Sequence, residues 1–156
     1  MNDAGATDAA LAAALRALEA HRGVEGPLLP ILHALQAEMG HVPRAALPPI
    51  AAALNLSRAE VHGVVSYYHD FRERPVGRRH LRVCAAESCQ AMGGEALLAQ
   101  AQAATGCSEA EPTSADGTWT VESVSCLGLC AVSPAAELDG RPIGRLTATR
   151  LGRALR

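Results

Sequence analysis

The stretch that decides the fold is His80-Leu81-Arg82-Val83-Cys84-Ala85-Ala86-Glu87-Ser88-Cys89-Gln90-Ala91-Met92-Gly93-Gly94. His80–Cys84 alternates apolar and polar residues, the pattern of a short half-buried strand. It delivers Cys84 and, after four intervening residues, Cys89. A second pair follows after 36 residues, in Cys126-Leu127-Gly128-Leu129-Cys130. Two irons bridged by two sulfides need four protein ligands, and each cysteine pair can bring two thiolates to one iron. Gly93, Gly94 and Gly128 let the backbone turn tightly and leave N–H groups unhindered; such donors to cluster sulfurs help set a reduction potential. No histidine stands within two residues of these cysteines, so an all-thiolate centre would have a lower potential than a Rieske centre. The spacing matches neither the plant-type nor the bacterial two-cluster ferredoxin run. Read from spacing alone, structural zinc on the same four thiolates remains open. A redox dithiol is the weaker reading, since its usual motif is Cys-x-x-Cys. Cys107 lies outside both pairs and reads as a structural thiol.

Outward from these motifs, Glu95–Thr105 reads as a helix stopped by Gly106. Thr118–Val124 reads as a strand after an Asp116-Gly117 turn. Ala135–Leu138, Asp139-Gly140 and Arg141–Leu146 suggest a hairpin, and Thr147 caps a last helix. The order β-α-β-β-α is that of a small α/β sandwich over residues 80–156. Residues 72–79, polar and containing Pro75 and Gly77, read as a linker. Residues 1–71 read as a helical bundle. Thr7 or Asp8 caps a first helix with Leu11, Leu15 and Leu18 on its inner stripe. Pro27 opens a second helix, carrying Leu28, Ile31, Leu32, Leu35 and Met39 and closed by Gly40. Residues 44–53 form a third, ending near Asn55. Ser57-Arg58-Ala59-Glu60 is a capping box, opening a fourth with Val61, Val64, Val65 and Tyr68 facing inward. The fold class is therefore α+β or α/β, with helices first and a mixed domain after.

The chain has 156 residues, 49% hydrophobic but only 3% aromatic, so its cores must be built from Ala, Leu and Val. The formal net charge of −2 lacks the basic surplus of a nucleic-acid binder. Five cysteines, an odd number and all after residue 83, argue against a disulfide framework. The N-terminus lacks the positive region of a secretory signal. No run reaches the roughly 18 apolar residues of a membrane span, so a soluble, cytoplasmic chain is expected.

Taken together, Cys84-x4-Cys89 with Met92-Gly93-Gly94, and Cys126–Cys130 with Pro134 and Asp139-Gly140, resemble the thioredoxin-like [2Fe–2S] family. That family includes the small cluster subunit of respiratory complex I and its relatives in NAD-reducing hydrogenases. Gly40-His41-Val42-Pro43 and Val61-His62-Gly63-Val64-Val65-Ser66-Tyr67-Tyr68-His69-Asp70-Phe71 carry the resemblance into the helical half. It covers roughly residues 26–156. Tyr68–Arg72 and Ala86–Gly93 are most similar to the gamma subunit of the cytosolic, NAD-dependent, molybdenum-containing formate dehydrogenase. The resemblance implies a thioredoxin-like fold for residues 80–156, one [2Fe–2S] cluster, a flavin-bearing NADH-binding partner subunit and a larger catalytic oxidoreductase subunit. It implies Cys84, Cys89, Cys126 and Cys130 as ligands, the first two on one iron and the last two on the other. Ser133 departs from the alanine common in the family and is expected to touch no ligand.

No Gly-x-Gly-x-x-Gly or Walker pattern occurs, so the chain is not expected to bind NAD. Nor does it carry an acid, base or nucleophile set, so it is expected to carry electrons without an active site of its own. His62 and His69 flank Tyr67-Tyr68 and could meet a partner or couple protons; a structural role is the preferred reading. Arg72, Arg74, Arg78 and Arg79 read as a solvated connector rather than a docking surface. A helix-turn-helix over residues 44–71, with Asn55-Leu56-Ser57 as its turn, is the rival from another class. Its second helix carries too weak a basic footprint to be favoured.

Overall fold

The computed structural model describes residues 3–156. It divides into two compact units, one ending at Pro75 and the other spanning Val76–Arg156. The first holds α1 (Asp3–Ala20), α2 (Leu28–Met39), α3 (Leu47–Ala53) and α4 (Arg58–Tyr67), with a single 3-10 turn, Arg44–Ala46, before α3. Helix boundaries follow local chemistry. Gly40 ends α2 at φ 75°, its N–H donating to the Gln36 carbonyl, a left-handed stop that glycine adopts without a Cβ penalty. Pro48 and Pro49 sit in the first turn of α3, where the missing N–H groups cost nothing. The expected capping box opens α4: Ser57 Oγ accepts from the Glu60 N–H at 3.2 Å, and Glu60 Oε2 accepts from the Ser57 N–H at 2.8 Å.

Two expectations fail here. The first concerns α1, which starts at Asp3, so Thr7 and Asp8 lie within it rather than at its cap. Its inner face is Ala10, Ala13, Ala14 and Ala17, whereas Leu15 is 60% exposed and Leu11 36%. Helix propensity favours alanine throughout this segment, and small inner residues let α1 approach the larger Ile31, Leu32, Leu35 and Ile50 that fill the same core. Of the three expected leucines Leu18 packs against this core, whereas Leu11 and Leu15 do not, so hydrophobicity alone placed the stripe only in part. The second concerns Tyr68, expected to face inward but half-exposed. It lies just past α4 at φ −87°, ψ 104°, off the helical row. Phe71 takes the core position instead, its ring 4.8 Å from that of His33.

The second unit is a four-stranded mixed sheet in the order β2-β1-β3-β4. Its strands are β1 (Arg79–Cys84), β2 (Trp119–Val124), β3 (Ala136–Leu138) and β4 (Arg141–Ile143). β1 and β2 run parallel, in register from Arg79↔Trp119 to Cys84↔Val124, so both strands end together. A parallel pair needs a crossover; here it contains α5 (Glu87–Ala91) and α6 (Gly94–Thr105). The β3–β4 hairpin turns at Asp139 (φ 51°) and Gly140 (φ 78°), the two positive φ values of a type I′ turn. Thr147 caps α7 (Ala148–Ala154) by accepting from the Arg150 N–H at 3.2 Å. Leu81, Val83, Val121 and Ala136 of the sheet pack with Leu97 and Ala101 of α6 and Leu151 of α7. Cys107 belongs to this core, its thiol 3.7 Å from the Trp119 carbonyl. Among the described residues, no helix is long and apolar enough to cross a membrane.

The span expected as a linker, 72–79, is hydrogen-bonded at both ends. Arg72 is tied to the helical unit through its carbonyl to the Val42 N–H (2.6 Å) and its N–H to Gln36 Oε1 (2.8 Å). Glu73 accepts from Arg44 and His62, both at 2.8 Å. At the other end, the Gly77 N–H donates to Thr120 Oγ1 at 2.7 Å. Arg78 bonds Thr118 Oγ1 at 2.8 Å, and Arg79 bonds Asp139 at 2.8 Å while lying over the Trp119 ring. The arginine run is therefore partly structural rather than a solvated connector.

Replacing Leu15 with Gln should change stability by no more than about 0.5 kcal/mol, whereas Ala14→Leu should cost about 1–3 kcal/mol by overpacking; chemical denaturation of each full-length variant checks this. Asp139 offers a pH test. Burial pushes its carboxyl up, but the His80 N–H, Arg79 and nearby charge outweigh that and hold it below the ordinary value of 3.8. A carboxylate lowered on folding stabilises above its unfolded pKa, and that contribution fades as pH falls through the folded one. The Asp139→Asn chain, whose asparagine suits the turn, should be less stable than the parent at pH 6 by up to about 1 kcal/mol. The difference should shrink below pH 4 in parallel urea titrations.

Candidate metal centre

Because β1 and β2 are parallel and in register, their C-terminal ends lie side by side, and both cysteine pairs sit just beyond them. Cys84 is the last residue of β1, and Cys126 lies two residues past the end of β2. The Cys84 N–H donates to the Ala135 carbonyl at 3.0 Å and the Ala85 N–H to the Val124 carbonyl at 2.9 Å, which ties the first cysteine segment to both flanks of the second. Cys89 is carried on α5 and is buried, as is Cys84; Cys126 and Cys130 are exposed. Cys130 opens a 3-10 turn, Cys130–Val132.

All four sulfurs feel one another. Burial pushes the Cys84 thiol up, but the N–H groups of Ala86 and Leu127 and the thiols of Cys89 and Cys126 bond it and hold it below its ordinary value. Cys130 shifts the other way. Its bond to Cys126 and the charge there raise it, followed by desolvation and then the charges of Cys89 and Cys84. The Gly128 N–H donates to the Cys126 sulfur at 3.3 Å, in a loop that needs Gly128 at φ 73°. Gathering four thiolates is electrostatically costly, and the raised Cys130 thiol reflects that cost. Bound cations relieve that cost, since a coordinating thiol is deprotonated outright. No group of three or more His, Cys, Asp or Glu among the described residues is arranged to hold a single metal ion. A two-iron centre makes a different demand, four cysteines shared between two irons. The amide donors and paired soft sulfurs fit such a group. When bound, it supplies storage for one electron.

The crossover was only partly legible in sequence. α5 is five residues long and the turn at Cys130 three, too short for a hydrophobic period to show. Ser133, expected to touch no ligand, contacts Cys130: its Oγ donates to the Cys130 carbonyl at 2.7 Å. Cys107 lies apart, in the sheet–helix core. His62 pairs with Glu73 in the helical unit, as a structural histidine would. Gly94 backs directly onto the Cys84–Cys89 segment; a Cβ there would lie 2.8 Å from the Cys89 carbonyl oxygen and 3.1 Å from that of Cys84.

Two thiol pairs gathered at the shared end of parallel strands suit an iron–sulfur electron carrier. The sequence profile of the thioredoxin-like [2Fe–2S] ferredoxins matches residues 14–156. The chain belongs to that family, and its cofactor is one [2Fe–2S] cluster. Among its relatives is an NADH-quinone oxidoreductase subunit of Rhizobium meliloti, 36% identical over 80% of this chain and 73% of that protein. NADH-quinone oxidoreductase subunit 2 of Thermus thermophilus is 32% identical over 77% of this chain and 66% of its own length. A chain of an NAD+-reducing [NiFe]-hydrogenase in the H2-reduced state superposes with a TM-score of 0.69 at 30% identity. The match covers 82% of this chain but only 21% of the hydrogenase chain.

Gly94→Ala should force the Cys84–Cys89 segment out of place. The expected result is a loss of about 1–3 kcal/mol in stability and reduced iron per purified chain, whereas Gly152→Ala, with open space around it, should leave iron content at the parental level.

Proposed function

We propose that Cys84, Cys89, Cys126 and Cys130 hold the cluster, and that the chain passes single electrons to and from a flavin-bearing, NADH-binding subunit. The convergence of both cysteine pairs just beyond the shared end of β1 and β2, tied by the Cys84–Ala135 and Ala85–Val124 backbone bonds, carries this reading. A flavin exchanges hydride equivalents with NAD and single electrons with clusters, so a one-electron carrier beside it divides each pair. The buried Cys84 and Cys89 make the inner edge of the site, and the exposed Cys126 and Cys130 make the edge that faces an electron partner. The complex we favour is a cytoplasmic, NAD-dependent formate dehydrogenase with a larger catalytic subunit. Support comes from Tyr68-His69-Asp70-Phe71-Arg72 and Ala86-Glu87-Ser88-Cys89-Gln90-Ala91-Met92-Gly93. A second reading, the equivalent subunit of a complex I or an NAD-reducing hydrogenase, is favoured by the names of the relatives above.

Changing Cys126 to Ser should remove most iron and acid-labile sulfide while α1 to α4 keep their helical signal, and Cys107→Ser should retain both in full. Visible and EPR spectra with metal analysis read this out. A colourless parent chain loaded with zinc would overturn the electron-transfer reading, and full iron in the Cys126 variant would remove that residue as a ligand. Co-purification from the host distinguishes the complexes: recovery of a molybdenum-containing large subunit favours formate dehydrogenase, and a nickel–iron or quinone-linked partner favours the second reading.

A further inference from the structure

Ser88 immediately precedes Cys89 on α5, and Ser133 follows Cys130 by three residues. Their hydroxyl oxygens are 2.6 Å apart. Ser133 Oγ is also 2.7 Å from the Cys130 carbonyl, whereas Ser88 Oγ is 3.4 Å from it. A hydroxyl has one proton to donate and two lone pairs to accept with. The shorter contact makes Ser133 the donor to the Cys130 carbonyl, so its oxygen accepts from the Ser88 hydroxyl. The result is a directed relay from Ser88 O–H to Ser133 Oγ, and from Ser133 O–H to the Cys130 C=O. Both side chains are half-buried, where water competes less well for these groups. The relay joins the helix that carries a buried cysteine to the loop that carries an exposed one.

We propose that the Ser88–Ser133 hydroxyl relay is a latch that fixes the Cys130 loop against α5, so that Ser88 and Ser133 are positioning residues for retention of the [2Fe–2S] cluster. The backbone bonds from Cys84 and Ala85 already secure the bases of the two ligand segments. Cys130 lies beyond those bonds, on the exposed edge. The Val132 and Pro134 carbonyls, accepting from the Arg145 and Leu146 N–H groups, hold the far side of this loop; the latch adds its tie to α5, and without that tie the Cys130 thiolate is held less firmly. The inference rests on the ligand reading given above.

The test compares full-length parent, Ser133→Ala, Ser133→Thr, Ser88→Ala and the double alanine chain, each carrying the cluster. Iron and sulfide per chain are measured first, then the rate at which excess chelator bleaches the visible absorption, and the melting temperature of each metal-free chain. Ser133→Ala should load one cluster but release it about 5- to 30-fold faster, the range expected from losing both hydrogen bonds that Ser133 makes. Ser133→Thr, which keeps the hydroxyl, should restore the parental rate. Ser88→Ala should show a smaller acceleration, and the double variant should be no faster than Ser133→Ala, since the two groups act in series. Metal-free melting temperatures should not follow these rates. Parental bleaching in Ser133→Ala, or a matching fall in metal-free stability that accounts for the change, overturns the latch. Failure of the ligand reading is separate: it shows as unchanged iron in Cys126→Ser, whatever the serine variants do. Should Ser133→Ala not fold, Ser88→Ala carries the decision by the same comparison.

Discussion

The parallel pairing of β1 with β2, in register to the last residue of each, is the constraint on which the rest of the second unit depends. Parallel strands cannot be joined by a tight turn, so the chain between them must cross over, and that crossover carries Cys89 on α5. The shared end of the two strands then brings segments far apart in sequence to one edge of the sheet. Cys84 arrives at the end of β1, and the Cys126–Cys130 loop leaves from β2. The Cys84 N–H bonded to the Ala135 carbonyl closes the arrangement, because Ala135 leads into β3 on the other side of β1. Neither cysteine pair creates the site; the sheet does, and the cysteines stand where it ends.

Electrostatics give that convergence its chemical meaning. Four thiols in one place cannot all ionise without cost, and the opposite displacements of Cys84 and Cys130 express this. Backbone N–H groups of Ala86, Leu127 and Gly128 offset part of the charge with fixed dipoles, which are already oriented when the metal arrives. With a cluster bound, the same donors would help set its potential, since hydrogen bonds to sulfur stabilise the more negative state. Two buried and two exposed cysteines divide the site into a protected edge and an accessible one, which suits a carrier that must keep its cofactor and still exchange electrons.

The helical unit is organised differently. Its core is built from leucine, isoleucine and valine of α2, α3 and α4 closed over by the alanine face of α1. With few aromatics to fill space, close approach of backbones replaces side-chain bulk. The exposed Leu11 and Leu15 follow from that choice. Arg44, His62 and Glu73 tie the end of this unit back to α4, and Arg44 with His62 holds the Glu73 carboxyl below its ordinary range.

Local chemistry was legible in the sequence. The Ser57–Glu60 box, the Gly40 stop, the Asp139-Gly140 turn and the Thr147 cap each depend on residues within a few positions of one another, so composition and spacing determined them. The four cysteines were legible for the same reason, as two close pairs with glycines beside them. What only the tertiary structure decided was everything that depends on a distant partner. Which stripe of α1 is buried is set by the bulk of α2 and α3, not by the hydrophobicity of α1. Tyr68 yields its place to Phe71 because the helix ends one residue too soon. Ser133 meets Ser88 only because strand pairing folds residues 88 and 133 onto the same edge, and a hydrogen bond between residues that far apart leaves no periodic trace along the chain.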